Sequence, residues 1–73
     1  MARAPHLLDV VALLTDRPDH GLIRGQVGTV VEELDLDGAY EVEFSDDDGK
    51  TYAELALGQD DLLVLHHQPP QAA

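Results

Sequence analysis

Residues 39–57 read AYEVEFSDDDGKTYAELAL, and this stretch decides the fold class of the chain. Its first part alternates apolar and acidic residues with a period of two, which is typical of a strand with one buried face. The apolar set is Tyr40, Val42 and Phe44. Residues 45–49 have the composition of a tight turn, and Leu55 and Leu57 then mark the inner face of a second strand. The stretch therefore predicts a β-hairpin.

The flanking segments predict three more strands around this hairpin. They cover residues 8–14, 26–33 and 62–65, with a long polar loop over 15–21, an Asp-Gly turn at 34–38, and one helical turn over 58–61. Aspartates in that helical turn are expected to cap it by accepting backbone amides. Gly25 and Gly28 fall where a strand bends or approaches another backbone. We predict an all-β fold, a small five-stranded SH3-like barrel with a single 3-10 turn before the last strand.

The chain of 73 residues is predicted to form one domain over residues 7–66, after a frayed leader (1–6) and before a disordered tail (67–73). It contains no cysteine, so disulfides and thiolate metal sites are excluded. Residues 7–14 are interrupted by Asp9 and lack a following cleavage site, and no apolar run reaches membrane-spanning length. We expect a cytoplasmic protein that does not insert into a membrane.

Acidic residues dominate the charge balance. Fifteen Asp and Glu stand against four Lys and Arg, which gives a formal net charge of -11. A barrel that binds nucleic acid needs cationic side chains along the backbone track, whereas Arg24 is the one cation beside the glycine-containing segment. The composition therefore disfavours nucleic acids and anionic membranes, and it favours a basic protein partner.

The candidate partner-binding residues lie on the predicted outer side of the hairpin and in its turn. They are Glu41, Glu43, Tyr52, Glu54, Asp46, Asp47 and Asp48. The tyrosine offers a rigid aromatic anchor, and the acids supply a field that steers cations. Two simpler interpretations stay open: the acids only keep the protein in solution, and Tyr52 only covers one side of the barrel or a self-association contact.

The sequence indicates neither a metal nor a cofactor nor a catalytic site. His66 and His67 are adjacent in a flexible segment, and residues 46–49 lack the spaced ligands and the closing glutamate of a calcium loop. Ser45 has no histidine nearby in sequence. Glu41 and Glu43 could juxtapose two carboxylates, but a small barrel has no deep cleft to shift their pKa values. We therefore expect a protein that is not an enzyme.

Three resemblances follow from these motifs. Residues 21–32, GLIRGQVGTVVE, resemble the glycine-and-valine motif of KOW domains, and they are also similar to the SH3-like domain of the nitrile hydratase beta subunit. The ordered series DVVAL, GQVGTVVE, YEVEF, DxxGxT, AxL and DLLVL, from Asp9 to Leu65, resembles a family of small bacterial proteins whose domain has no known function. That family resemblance implies stand-alone proteins of about this size, often encoded near toxin-like genes, and no catalytic residues.

The leading functional hypothesis is a non-enzymatic acidic module that binds protein, with an antitoxin or immunity role toward a basic partner. An alternative is an accessory barrel of an enzyme complex that docks through its apolar edges and residues 24–28. A third is a homo-oligomer, because self-assembly buries surface that one short chain cannot bury alone.

Overall fold

The structure is a computed structural model that describes residues 4–34, 38–67 and 69. Its strands are β1 (Val10–Leu13), β2 (Val27–Glu33), β3 (Ala39–Ser45), β4 (Thr51–Gly58) and β5 (Leu62–Val64). They form one antiparallel sheet in the order β4-β3-β2-β1-β5. A single 3-10 turn (Gln59–Asp61) precedes β5. The predicted all-β fold is confirmed, while the finer SH3-like assignment stays a prediction.

The two faces of the sheet differ because side chains alternate along each strand. The inner face holds the core, and the burial of β3 follows the predicted period of two without interruption. Phe44 is fully buried at its centre. The buried apolar residues of the core are Val11, Leu13, Leu22, Val30, Tyr40, Val42, Phe44, Leu55, Leu57, Leu62 and Val64. Ala53 is partly buried and packs against this core. The other face of the sheet, the outer face, carries the side chains that alternate with the inward-facing ones.

Gly28 occupies a position in β2 that no larger residue fits. A Cβ atom there would lie 2.7 Å from Cγ1 of Val42 and 2.9 Å from the carbonyl oxygen of Glu43. The residue faces Phe44 across the strand pair, so the missing side chain makes room for that ring. The predicted close approach at Gly28 is confirmed. Gly25 lies instead in the turn before β2 with a φ of +95°, a conformation that glycine adopts easily.

The long first loop contains an unpredicted 3-10 turn (Pro18–His20) and is tied to the second 3-10 turn by side chains. Nη2 of Arg17 donates to Oδ2 of Asp61 at 2.8 Å, and the Thr15 hydroxyl donates to the other carboxylate oxygen at 3.5 Å. The prediction that aspartates cap the second turn is wrong: its N-cap is Gly58, with no side-chain capping bond. Asp61 binds the first loop instead.

The predicted leader and tail are only partly described. Residues 1–3, 35–37, 68 and 70–73 lie outside the described residues, so most of the predicted turn over 34–38 lies outside them too. Within the predicted leader, Pro5 is fully buried and the His6 amide donates to a carboxylate oxygen of Asp9. Neither of the helical turns in the described part of the chain has the length or apolar character needed to cross a membrane.

Candidate functional site

Four glutamates from three adjacent strands meet on the outer face. We call them the outer acidic cluster: Glu32, Glu41, Glu43 and Glu54. Glu43 on β3 is directly opposite Glu54 on β4, and Glu32 on β2 is directly opposite Glu41 on β3. Like charges at opposed cross-strand positions destabilise a sheet. This chain therefore contains two unfavourable pairs side by side.

The Glu43–Glu54 pair occupies the closer of the two antiparallel spacings. The Gln59 amide donates to the Gly38 carbonyl at 3.0 Å, just beyond the Ala39–Gly58 pair. Hydrogen-bonded and non-hydrogen-bonded pairs alternate along an antiparallel ladder. Because Gly38 and Gln59 are joined by a hydrogen bond, the next pair, Ala39–Gly58, lacks mutual hydrogen bonds, and so does every second pair after it. Glu43 and Glu54 are such a pair too, and in these pairs the side chains approach most closely. The two glutamates are thus opposed at the shorter of the two antiparallel spacings.

The environment of Glu41 raises the pKa of its carboxyl group. Partial desolvation at the strand surface is the largest cause, followed by a side-chain hydrogen bond with Glu54 and by the negative charges of Glu54 and Glu32. Every one of these contributions disfavours the ionised form. The sheet itself thus opposes ionisation of Glu41.

A β-bulge brings Glu32 into the cluster. The register between β2 and β3 shifts between Val30 and Glu32, so that Glu32 lies opposite Glu41. Simple alternation from the buried Val30 would have placed Glu32 on the inner face. Glu32 is therefore missing from the candidate residues predicted above, because an irregularity of this kind leaves no mark in the alternation itself.

No cation of the described residues neutralises the outer acidic cluster. Within residues 4–34, 38–67 and 69, the ion pairs join Arg17 to Asp61 and His20 to Asp19, and none involves these four glutamates. Lys50 is exposed in the β3–β4 turn, and its amide donates to the Asp46 carboxylate. Within the described chain the cluster is therefore an uncompensated negative surface.

Tyr52 lies on the exposed side of β4, as predicted. Its side chain is 48% exposed, and its hydroxyl accepts a hydrogen bond of 3.1 Å from Nε2 of Gln26, next to the start of β2. The bond holds the ring over the end of the sheet near the β3–β4 turn. An aromatic residue fixed in this way loses little side-chain entropy when a partner covers it.

The three aspartates of the β3–β4 turn have different surroundings. Oδ1 of Asp46 accepts hydrogen bonds from the amides of Asp48 and Lys50, both at 2.9 Å, so this carboxylate closes the turn. Asp47 and Asp48 are exposed. Gly49 ends the turn with a φ of +80°, as expected for a hairpin glycine. The turn adds negative charge at one end of the sheet, apart from the four glutamates.

The outer face is apolar toward β1 and β5, at the other end of the strand order from the β3–β4 hairpin. Val27, Ala12 and Leu63 lie in one row across β2, β1 and β5. Val27 is 47% exposed and Leu63 is 43% exposed. Ile23 projects from the preceding turn and is 64% exposed. We call Val27, Ala12, Leu63 and Ile23 the apolar row.

Residues suited to metal binding do not converge in the described part of the chain, where no group of three or more His, Asp or Glu side chains could hold an ion. His66 and His67 are both exposed. Four glutamates opposed on a strand surface offer electrostatic attraction for cationic groups, without the enclosed arrangement that a metal requires.

A family model matches residues 7–64, and its description is a domain of unknown function (DUF4926). The match covers all five strands and both 3-10 turns. Neither a curated protein nor a solved structure matches the chain.

Proposed function

This chain belongs to the DUF4926 family of domains of unknown function, and we propose that it is a cytoplasmic, non-enzymatic module whose outer acidic cluster binds a basic protein. The observation that carries the proposal is the presence of two pairs of opposed glutamates, Glu43–Glu54 and Glu32–Glu41. Acids needed only to keep a protein in solution can be placed anywhere on the surface. These are placed where they destabilise the sheet.

Binding a cationic partner would remove that repulsion. A lysine or arginine between two opposed carboxylates converts a repulsive pair into a favourable triad, so part of the binding free energy comes from strain in the free protein. The remaining acids increase the rate of encounter with a basic partner through long-range attraction. Tyr52, held by Gln26 near the end of the same sheet, supplies an aromatic contact at the margin.

Toxins that act on nucleic acid are one class of basic partner, because a surface that binds phosphates is itself cationic. An antitoxin or immunity role is the specific form of the proposal that fits this chemistry. It rests on charge complementarity.

The experiment is a pull-down from native lysate with the tagged wild-type protein and two charge-reversal variants. Glu43→Lys changes the outer acidic cluster, and Asp19→Lys changes a first-loop aspartate that is 79% exposed, with the same change in net charge. We expect a basic protein that is retained by the wild type and by Asp19→Lys, is lost with Glu43→Lys, and is released at high salt. Retention that neither salt nor Glu43→Lys affects would refute the proposal.

The apolar row favours a second candidate, an accessory module that docks on an enzyme subunit. Val27, Leu63 and Ile23 are each more than two-fifths exposed. The turn that presents Ile23 is closed by a hydrogen bond of 2.6 Å, which the Ile23 amide donates to Oε1 of Gln26. Under this alternative, Val27→Asp abolishes association and Glu43→Lys has little effect. A partner that resists high salt would support it, and light scattering of the purified protein would detect self-assembly through the same row.

A further inference from the structure

Strand β4 is a long, open edge of the sheet. It spans eight residues and, within the described part of the chain, pairs only with β3. Natural proteins protect such edges with charged side chains, lysine above all, and with proline, β-bulges or very short strands. β4 contains neither lysine nor proline; it carries one charged residue, Glu54, and its register against β3 shifts before Ala53. Glu54 repels an acidic segment but attracts a basic one, so the regular part of this edge can accept an added strand of basic sequence from another chain.

The free backbone groups of this edge belong to identifiable residues. In an antiparallel sheet, a residue whose pair lacks mutual hydrogen bonds directs its amide and carbonyl toward the other side. The Gln59–Gly38 bond fixes which pairs of β3 and β4 are hydrogen-bonded. Glu54 and Ala56 both belong to pairs that lack mutual hydrogen bonds with β3. Their amides and carbonyls therefore face the open edge. Leu55 and Leu57 bond to β3 instead.

The side chains at these two positions lie on the outer face next to the outer acidic cluster. Glu54 is at the edge itself, with Glu43 directly behind it on β3. Ala56 is small and exposed, and Glu41 is directly behind it. Neighbouring strands are about 4.8 Å apart. A long cationic side chain beside Ala56 therefore reaches over it to the Glu41 carboxylate.

We propose that the β4 edge binds an extended segment of a protein partner as a sixth strand, with lysine or arginine at alternate positions, one beside Glu54 and one beside Ala56. The inference rests on the proposed function and specifies how the acidic face is used. The intervening residues of the segment point to the inner side, beside Leu55, and are therefore apolar. Backbone hydrogen bonds hold the segment, and the alternating charge sets its register.

A second copy of this chain is a poor occupant of the same edge. Pairing two β4 strands would join the sheets and bring two outer acidic clusters onto one continuous face. Each chain carries a net charge of -11, so this arrangement multiplies the repulsion already present within one sheet. Charge complementarity selects a basic segment.

The test uses two synthetic peptides of equal composition and the full chain labelled for amide hydrogen exchange. One peptide, Val-Lys-Val-Lys-Val-Lys-Val, places its lysines on one face of a strand, and the other, Val-Val-Lys-Lys-Lys-Val-Val, has them contiguous. We expect the alternating peptide to bind at least about tenfold more tightly at low salt, since two register-matched ion pairs and the added strand contribute together. It should also slow exchange of the Glu54 and Ala56 amides specifically.

Two variants at position 56 separate edge pairing from attraction to the acidic face. Ala56→Pro removes an amide that faces the edge and leaves every bond to β3 in place. Ala56→Val keeps that amide. We expect the proline variant to lose the alternating peptide and the valine variant to retain it. If Ala56→Pro fails to fold, the exchange data on the wild type decide.

Three results would overturn the inference. The first is equal affinity for the two peptides without protection of Glu54 and Ala56, which leaves the proposed function intact because charge alone then explains binding. The second is binding of a basic folded protein but of neither peptide. The third is undiminished binding by folded Ala56→Pro. Failure of every basic ligand to bind would contradict the proposed function itself.

Discussion

Replacing Glu41 by glutamine should stabilise the free protein. In the wild type this carboxyl group is directly opposite Glu32, and in its protonated form it is hydrogen-bonded with Glu54. Glutamine has nearly the same shape, removes the charge, and keeps an amide that donates to the Glu54 carboxylate. The change therefore removes repulsion without removing packing.

The magnitude follows from the geometry of the opposed pair. Two carboxylates about 5 Å apart in water repel each other by about 0.8 kcal/mol. Directly opposed cross-strand pairs contribute about 0.2–1 kcal/mol in proteins. With contributions from Glu32 and Glu54, Glu41→Gln should raise the free energy of unfolding by about 1 kcal/mol at low ionic strength, which corresponds to an increase in Tm of about 4–8 °C for a domain of this size.

The assay is thermal and urea unfolding followed by circular dichroism, at low and high salt and over a range of pH. Because the fold raises the pKa of Glu41, its ionisation opposes folding. The wild type therefore loses stability relative to Glu41→Gln as the pH rises through that raised pKa. The difference should close at lower pH, where Glu41 is protonated, and it should shrink at high salt.

The matched control is Asp60→Asn, which removes one negative charge from an exposed position in the second 3-10 turn, away from the strand pairs. It should change stability by less than about 0.5 kcal/mol. If Glu41→Gln stabilises no more than this control at low salt, or if its effect grows as the pH falls, the argument from opposed carboxylates is wrong.

Three further substitutions test the packing of the fold by urea unfolding. Gly28→Ala places a methyl group 2.7 Å from Val42 and should cost about 1–3 kcal/mol; unchanged stability would contradict the close approach. Phe44→Ala empties the centre of the core and should cost about 3–5 kcal/mol, leaving little folded protein at room temperature. Arg17→Ala breaks a partly exposed bridge to Asp61 and should cost about 1 kcal/mol or less, with faster amide exchange confined to the first loop.

Much of the fold could be predicted because the hairpin alternates cleanly. Tyr40, Val42 and Phe44 are buried and the intervening glutamates lie outside, as the period of two requires. Tyr52 and Glu54 likewise lie on the exposed side of β4. The alternation predicts these faces because one side of the sheet must supply the core of so short a chain.

The rest depends on pairing that local patterns do not encode. Glu32 joins the outer acidic cluster through a bulge, and alternation alone places it on the wrong face. Asp61 resembles a capping residue in sequence, yet it binds Arg17, which is 44 residues away. That Glu43 lies opposite Glu54 could not be predicted without the register of the hairpin, and this register shifts at a bulge between Phe44 and Ser45. Long-range register thus determines the site more than residue type does.

The most direct test of the account compares two double variants of equal net charge in calorimetric titration with the captured basic protein. Glu43→Gln/Glu54→Gln neutralises one opposed pair in the outer acidic cluster, whereas Asp19→Asn/Asp60→Asn neutralises two exposed acids elsewhere. If the outer acidic cluster is the binding site, the first variant loses at least about tenfold in affinity, or about 1.4 kcal/mol, and the second loses little. Equal losses for the two variants would show that only net charge matters, and would contradict binding through the outer acidic cluster.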